Sequence, residues 1–153
     1  MRHEIEAAFK RLGWTCRTEV REGESRSFTT IMGRTGRRLV DVLVGDPHPR
    51  ILVRVGTGLL CPAERLPEMN ALLSALNFTF DSAAFGVAPS GQVVARARVL
   101  NVRPGRHVRR LVVTALEDAN KSVDAFGRAF GEVASGRMTA AEVLDALREP
   151  SLE

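Results

Sequence analysis

A chain of 153 residues has room for one domain with a continuous core. Its composition, 44% hydrophobic and 26% charged, argues against a disordered chain, and no apolar run reaches the roughly 18 residues that cross a bilayer. The net charge of +4 is almost entirely arginine, with Lys10 and Lys121 the only lysines, so surface arginines that converge would capture anions through their bidentate forks.

The N-terminal stretch MRHEIEAAFKRLGW mixes carboxylates with apolar residues and has no small-residue cleavage site. It is therefore read as part of the fold and not as a secretory signal, and the protein is expected in the cytoplasm. Ile5, Ala8, Phe9 and Leu12 follow helical spacing, and Gly13 supplies a C-terminal stop. Strand candidates come next: Thr15–Val20 as a short edge strand, then Ser27–Gly33, Arg38–Gly45 and Arg50–Gly56. Glu22–Ser27 reads as a polar loop, GRTG as a turn, and DPHP as a loop forced by its prolines.

A helix is predicted through LPEMNALLSALN, with Pro67 in its first turn and Met69, Leu72, Leu73 and Leu76 as its apolar stripe. The segment Ala84–Leu100 then reads as a β-hairpin with Pro89-Ser90-Gly91 at its tip. Val93, Ala95, Ala97 and Val99 take one face of the second strand; Val94, Arg96, Arg98 and Leu100 take the other. The small Ala95 and Ala97 suit close approach of a helix.

The longest apolar stripe runs from Val108 through Leu116 and Val123 to Val133. Unbroken from His107 to Ala134, it would be about 42 Å long, comparable with the roughly 40 Å width of a compact chain of this size. Such a helix must cross the whole domain or bend at Gly127 and Gly131. Thr139 and Glu142 then form a capping-box pattern ahead of a last amphipathic helix. Helices and antiparallel strands in blocks predict an α+β domain: an antiparallel sheet of about five strands with helices packed on one face, in the order α-β-β-β-α-β-β-α, plus an extra C-terminal helix.

The segment Met69–Leu100 resembles the YbjN-like family, in which a short helix bearing an Asn leads into a strand, a Gly-containing turn and a second strand ending near a Leu. The matching positions are Asn70, Asn77, Phe85, Gly91, Val93, Val94 and Leu100. That family is similar in fold to type III secretion chaperones, small α+β proteins that dimerise and hold partner proteins. The resemblance implies one domain over residues 1–153, non-catalytic protein binding and a homodimer, with Met69, Leu72, Leu73 and Leu76 as candidate dimer contacts. Secretion chaperones tend to be acidic whereas this chain is basic, so no secretion role follows.

Reactive chemistry is not indicated. Gly33–Arg38, GRTGRR, lacks the Lys-Ser/Thr ending of a phosphate-binding loop, and Asp46 with His48 reads as a turn. His3, His48 and His107 show no metal-ligand spacing, and Cys16 and Cys61 read as plain thiols. No cofactor, metal or catalytic group is expected. Charge is more informative. Four arginines, Arg103, Arg106, Arg109 and Arg110, gather where a helix begins, and Arg54, Arg96 and Arg98 would form a basic patch if their faces coincide. These seven are the candidate partner-binding residues. The expected function is that of an adaptor or chaperone-like protein. The alternative is weak, nonspecific nucleic-acid binding, disfavoured by the absence of Tyr and the single Trp, which leave little for base stacking.

Overall fold

A computed structural model describes residues 1–45, 50–79, 83–99 and 105–148. The elements are α1 (Arg2–Arg11), β1 (Arg17–Arg21), β2 (Glu24–Gly33), β3 (Gly36–Gly45), β4 (Arg50–Leu60), a 3-10 turn (Ala63–Arg65), α2 (Leu66–Thr79), β5 (Ala84–Val87), β6 (Gln92–Val99), α3 (Arg106–Ala134) and α4 (Ala140–Arg148). The strands form one antiparallel sheet in the order β1-β2-β3-β4-β6-β5. The expected α+β architecture is present, with six strands because the weakly alternating β1 pairs fully with β2.

The expected polar loop at Glu22–Ser27 is corrected. Only Glu22 and Gly23 turn, with Gly23 at φ 73, and Glu24–Ser27 already pair in the sheet. A two-residue Glu-Gly connection supplies the positive φ that tight hairpins need, and that local signal outweighs polar composition. Strand β4 also runs beyond Gly56, through an irregularity between Gly56 and Leu60. There the buried Thr57 hydroxyl donates to Val93 O at 2.9 Å and accepts from Leu59 N–H at 3.1 Å, so the interrupted ladder leaves fewer backbone groups unpaired.

Period-two alternation sends Val40, Val42, Ile51, Val53, Val55, Val93 and Ala95 to one sheet face, where they are buried. Helix α3 crosses this face as one continuous helix of 29 residues, packing on β4 and β6. It does not break at Gly127. The missing side chain there makes room for Thr35, whose Cγ2 would lie 2.8 Å from an added Cβ. Helix α1 packs mainly on α3 and ends at Gly13 (φ 75), with Gly13 N–H and Trp14 N–H bonding Lys10 O and Phe9 O. Phe85 closes the other end against the edges of Phe126 and Phe130, at 5.7 and 5.1 Å between centroids.

Met69, Leu72, Leu73 and Leu76 all point into this core and are at most 3% exposed. The expectation that they form dimer contacts is therefore corrected: the stripe of α2 is used within the chain, against β5, α3 and α4. Two further residues tie the helices together. Arg65 donates to Val133 O and Met138 O at the end of α3, and the Glu68 carboxylate accepts from Ala140 N–H at the start of α4. Each charge lies at the helix end whose dipole it complements. The predicted capping box is present, with Thr139 N–H donating to Glu142 Oε2 at 2.7 Å and Glu142 N–H to Thr139 Oγ1 at 3.3 Å.

Candidate functional site: an arginine cup on the uncovered sheet face

Among the described residues α3, α2 and α1 pack on the strands of the sheet, and α4 packs on α2 and α3. The second face carries Arg26, Phe28, Leu39, Asp41, Leu43, Leu52, Arg54, Val94 and Arg96, in alternation with the core residues. Antiparallel sheets tolerate such a one-sided arrangement because half of each strand can stay polar. The register settles whether the candidate arginines share a face. Arg54 lies directly opposite Arg96, and Leu52 opposite Arg98, so all three do.

Asp41 organises the centre of this face. It is 3% exposed and stands directly opposite Arg54 on β4 and Phe28 on β2. Arg54 donates through Nε to Asp41 Oδ1 and through Nη2 to Oδ2, both at 2.7 Å. Arg26 donates through Nε and Nη2 to Oδ2 at 3.0 and 2.7 Å. One buried carboxylate thus fixes two guanidinium planes, and its bond pushes Arg54 above the usual arginine range. The Arg26 guanidinium carbon also lies 5.2 Å from the Phe28 ring centroid, a cation–π contact.

Beside this triad the hairpin tip at Ala88, Pro89 and Ser90 borders a concavity of about 370 Å³. Arg26, Arg54 and Arg96 all line it, and Asp41 is the one carboxylate among the described lining residues. Glycines deepen it. The Arg96 guanidinium lies over Gly86, its Nη2 3.4 Å from where a Cβ would stand, and a Cβ on Gly56 would come within 2.9 Å of Gln92 Nε2. Among the described residues Arg96 makes no ion pair.

The other candidate arginines divide. Arg98 shares the open face by register and also lines a second, shallower depression with His107, Arg110 and Asp118, between β6 and α3. Arg109 turns to α1, where its Nε donates to Glu4 Oε2 at 3.0 Å. Arg103, the side chain of Arg106, and the Asp46–His48 pair lie outside the described residues. Of this basic run, the described Arg109 and Arg110 therefore do not line the cup.

Sequence reasoning missed Arg26 and Asp41. The available signal was an aspartate at the centre of the otherwise apolar strand RLVDVLVG, a position that requires a cationic partner if buried. It also missed Arg38, on the opposite face of β3. That side chain is 0% exposed and donates to Asn120 Oδ1 at 2.7 Å, to Thr35 Oγ1 at 3.0 Å and to Asp124 Oδ1. This second network is enclosed by α3 and is structural. It anchors the GRTG turn, read correctly as a hairpin turn, to the helix. Burial raises the pKa of Asp124, but the hydrogen bonds from Arg38 and from Arg34 N–H outweigh it and hold that carboxyl below its ordinary range.

Asn77 is also structural. Asn77 donates through Nδ2 to Phe85 O at 2.9 Å and accepts from Phe85 N–H at 2.6 Å, pairing with β5 as a neighbouring strand would. Cys61 is buried, and desolvation pushes its thiol pKa up, as it does for Cys16. No helix among the described residues is long and apolar enough to cross a membrane. No family model matches the chain, and no curated protein matches it.

Proposed function

We propose that this chain is a non-enzymatic, cytoplasmic adaptor or chaperone-like protein that holds an acidic segment of a partner protein against its uncovered sheet face. The observation that carries this reading is the direct opposition of Arg54 and Arg96 in neighbouring strands. Like charges placed so are destabilising; Asp41 offsets Arg54 but Arg96 makes no ion pair among the described residues, and an anionic partner would supply the missing counter-charge. Leu43 and Leu52 lie between Arg26 and Arg98 by register, Leu39 and Val94 flank the Arg54–Arg96 row, and together they supply apolar contact area.

The resemblance to the YbjN-like family supports the same reading and adds a homodimer to it. With the α2 stripe committed to the core, the dimer surface lies elsewhere. A stable one buries on the order of 2,000 Å². Sedimentation equilibrium that returns only monomer at high concentration removes the dimer from the proposal.

Replacing Arg96 and Arg98 together with Ala tests the binding face. Both are exposed, so the fold is expected to survive, with a melting temperature within about 2 °C of the parent chain. Loss of partner with retained fold supports the proposal; retention of partner moves the site elsewhere. Nucleic acid is the competing occupant. Binding by nucleic acid would disappear from nuclease-treated lysate and fall steeply with salt.

A further inference from the structure

We infer that the arginine cup is a site for a phosphate monoester dianion, carried on a phosphorylated side chain of the partner segment. The inference rests on the sheet-face reading and narrows it to one chemical group.

The first argument is donor geometry. Arg26 and Arg54 each spend Nε and Nη2 on Asp41, which leaves both Nη1 groups without a partner among the described residues. Both side chains are 37% exposed, and neither Nη1 is a fully buried atom, so these N–H groups remain open to solvent. Arg96 adds a whole guanidinium. Donors converging from three side chains suit the several acceptor oxygens of a phosphoryl group better than the two of a carboxylate.

The second argument is charge. Three guanidinium groups against the Asp41 carboxylate leave two positive charges at the cup. A phosphate monoester carries about −1.5 to −2 at neutral pH, whereas a carboxylate or a nucleic-acid diester carries one negative charge. Other carboxylates stand farther off. Glu24 acts on Arg54 only through its field, and Glu19, opposite Arg26, is turned to Arg21 at 3.9 Å.

The third argument is preorganisation. Asp41 holds two flexible side chains in fixed planes before any ligand arrives, so less ordering is required on binding. Asp41 is thus a positioning residue, and this has a consequence opposite to simple electrostatics. Removing its negative charge makes the cup more positive yet should weaken anion binding.

The test is calorimetric titration of the full chain with four probes: inorganic phosphate, a phosphoserine peptide, the same peptide with glutamate at that position, and a single-stranded oligonucleotide without terminal phosphates. The phosphoserine peptide should bind saturably and at least tenfold more tightly than the glutamate peptide, with inorganic phosphate competing. Arg54→Lys keeps the charge but loses the fork and should cost at least tenfold, and D41N should also weaken binding. Should D41N fail to fold, Arg54→Lys alone decides the geometric claim. Equal binding of the phosphoserine and glutamate peptides overturns the inference. So does equal or tighter binding by Arg54→Lys, or a tighter complex with the oligonucleotide than with the phosphopeptide. Failure here is separable from failure of the sheet-face reading: if no phosphate probe binds but the R96A/R98A chain loses its partner, the cup assignment falls and the face remains.

Discussion

Arg38 and Asp41 are three residues apart on one strand, and strand alternation gives them opposite environments. Arg38 faces α3 and is fully buried, whereas Asp41 faces the open side, where its arginine partners remain 37% exposed. The consequences of breaking each network differ accordingly. Asp124→Ala leaves a buried guanidinium without its counter-charge and should cost about 3–5 kcal/mol in urea unfolding; a loss below about 1 kcal/mol would show that Asn120 and Thr35 suffice. D41N leaves two arginines that water can still reach, so its cost should be smaller, about 1–3 kcal/mol. The Asp124 network also sets an acid dependence. Its folded pKa lies below the ordinary 3.8, so the stabilisation is complete above that value and is lost as pH falls through the lower folded value. The difference in stability between parent and Asp124→Asn should thus shrink below about pH 4, a point that acid titration of unfolding checks.

Between elements, the connections that matter are made by single polar side chains. Arg65 and Glu68 hold the junction of α3 and α4 from opposite ends of the helix dipoles. Arg65→Ala should cost about 1 kcal/mol and speed amide hydrogen exchange in α4 while leaving α3 protected. Asn77→Ala removes both bonds to Phe85 and should cost about 1–3 kcal/mol, since a part-buried N–H and C=O lose their partners together. The elements themselves were largely legible in the sequence. Gly13, the Pro89-Ser90-Gly91 tip, Thr139 with Glu142 and the long stripe from Val108 to Val133 are local signals, and the structure follows them. Contacts between elements were less so. Burial of Met69, Leu72, Leu73 and Leu76 depends on where α2 docks, and an apolar stripe reads the same whether it meets its own core or a second copy. The arginine cup is non-local in the same way. Arg26, Asp41, Arg54 and Arg96 come from four strands, and only the β2-β3-β4-β6 register brings them together.

At the scale of the whole molecule, one sheet separates a helix-covered face from the open face to which we assign binding. Its covered face carries the apolar side chains of the strands that pack into the core with the helices. The other face is free to keep arginines opposed to one another because little of the folding energy depends on it. Substitutions on the open face should therefore affect binding far more than stability, and those beneath α3 the reverse. The measurement that tests this division most directly is affinity capture from nuclease-treated lysate by the parent chain and by the R96A/R98A chain, with thermal unfolding of both in parallel. Partner retained by the parent and lost by the variant, at matched melting temperature, is the expected result. A variant that folds normally and still retains the partner, or a partner released from the parent chain by nuclease, would contradict it.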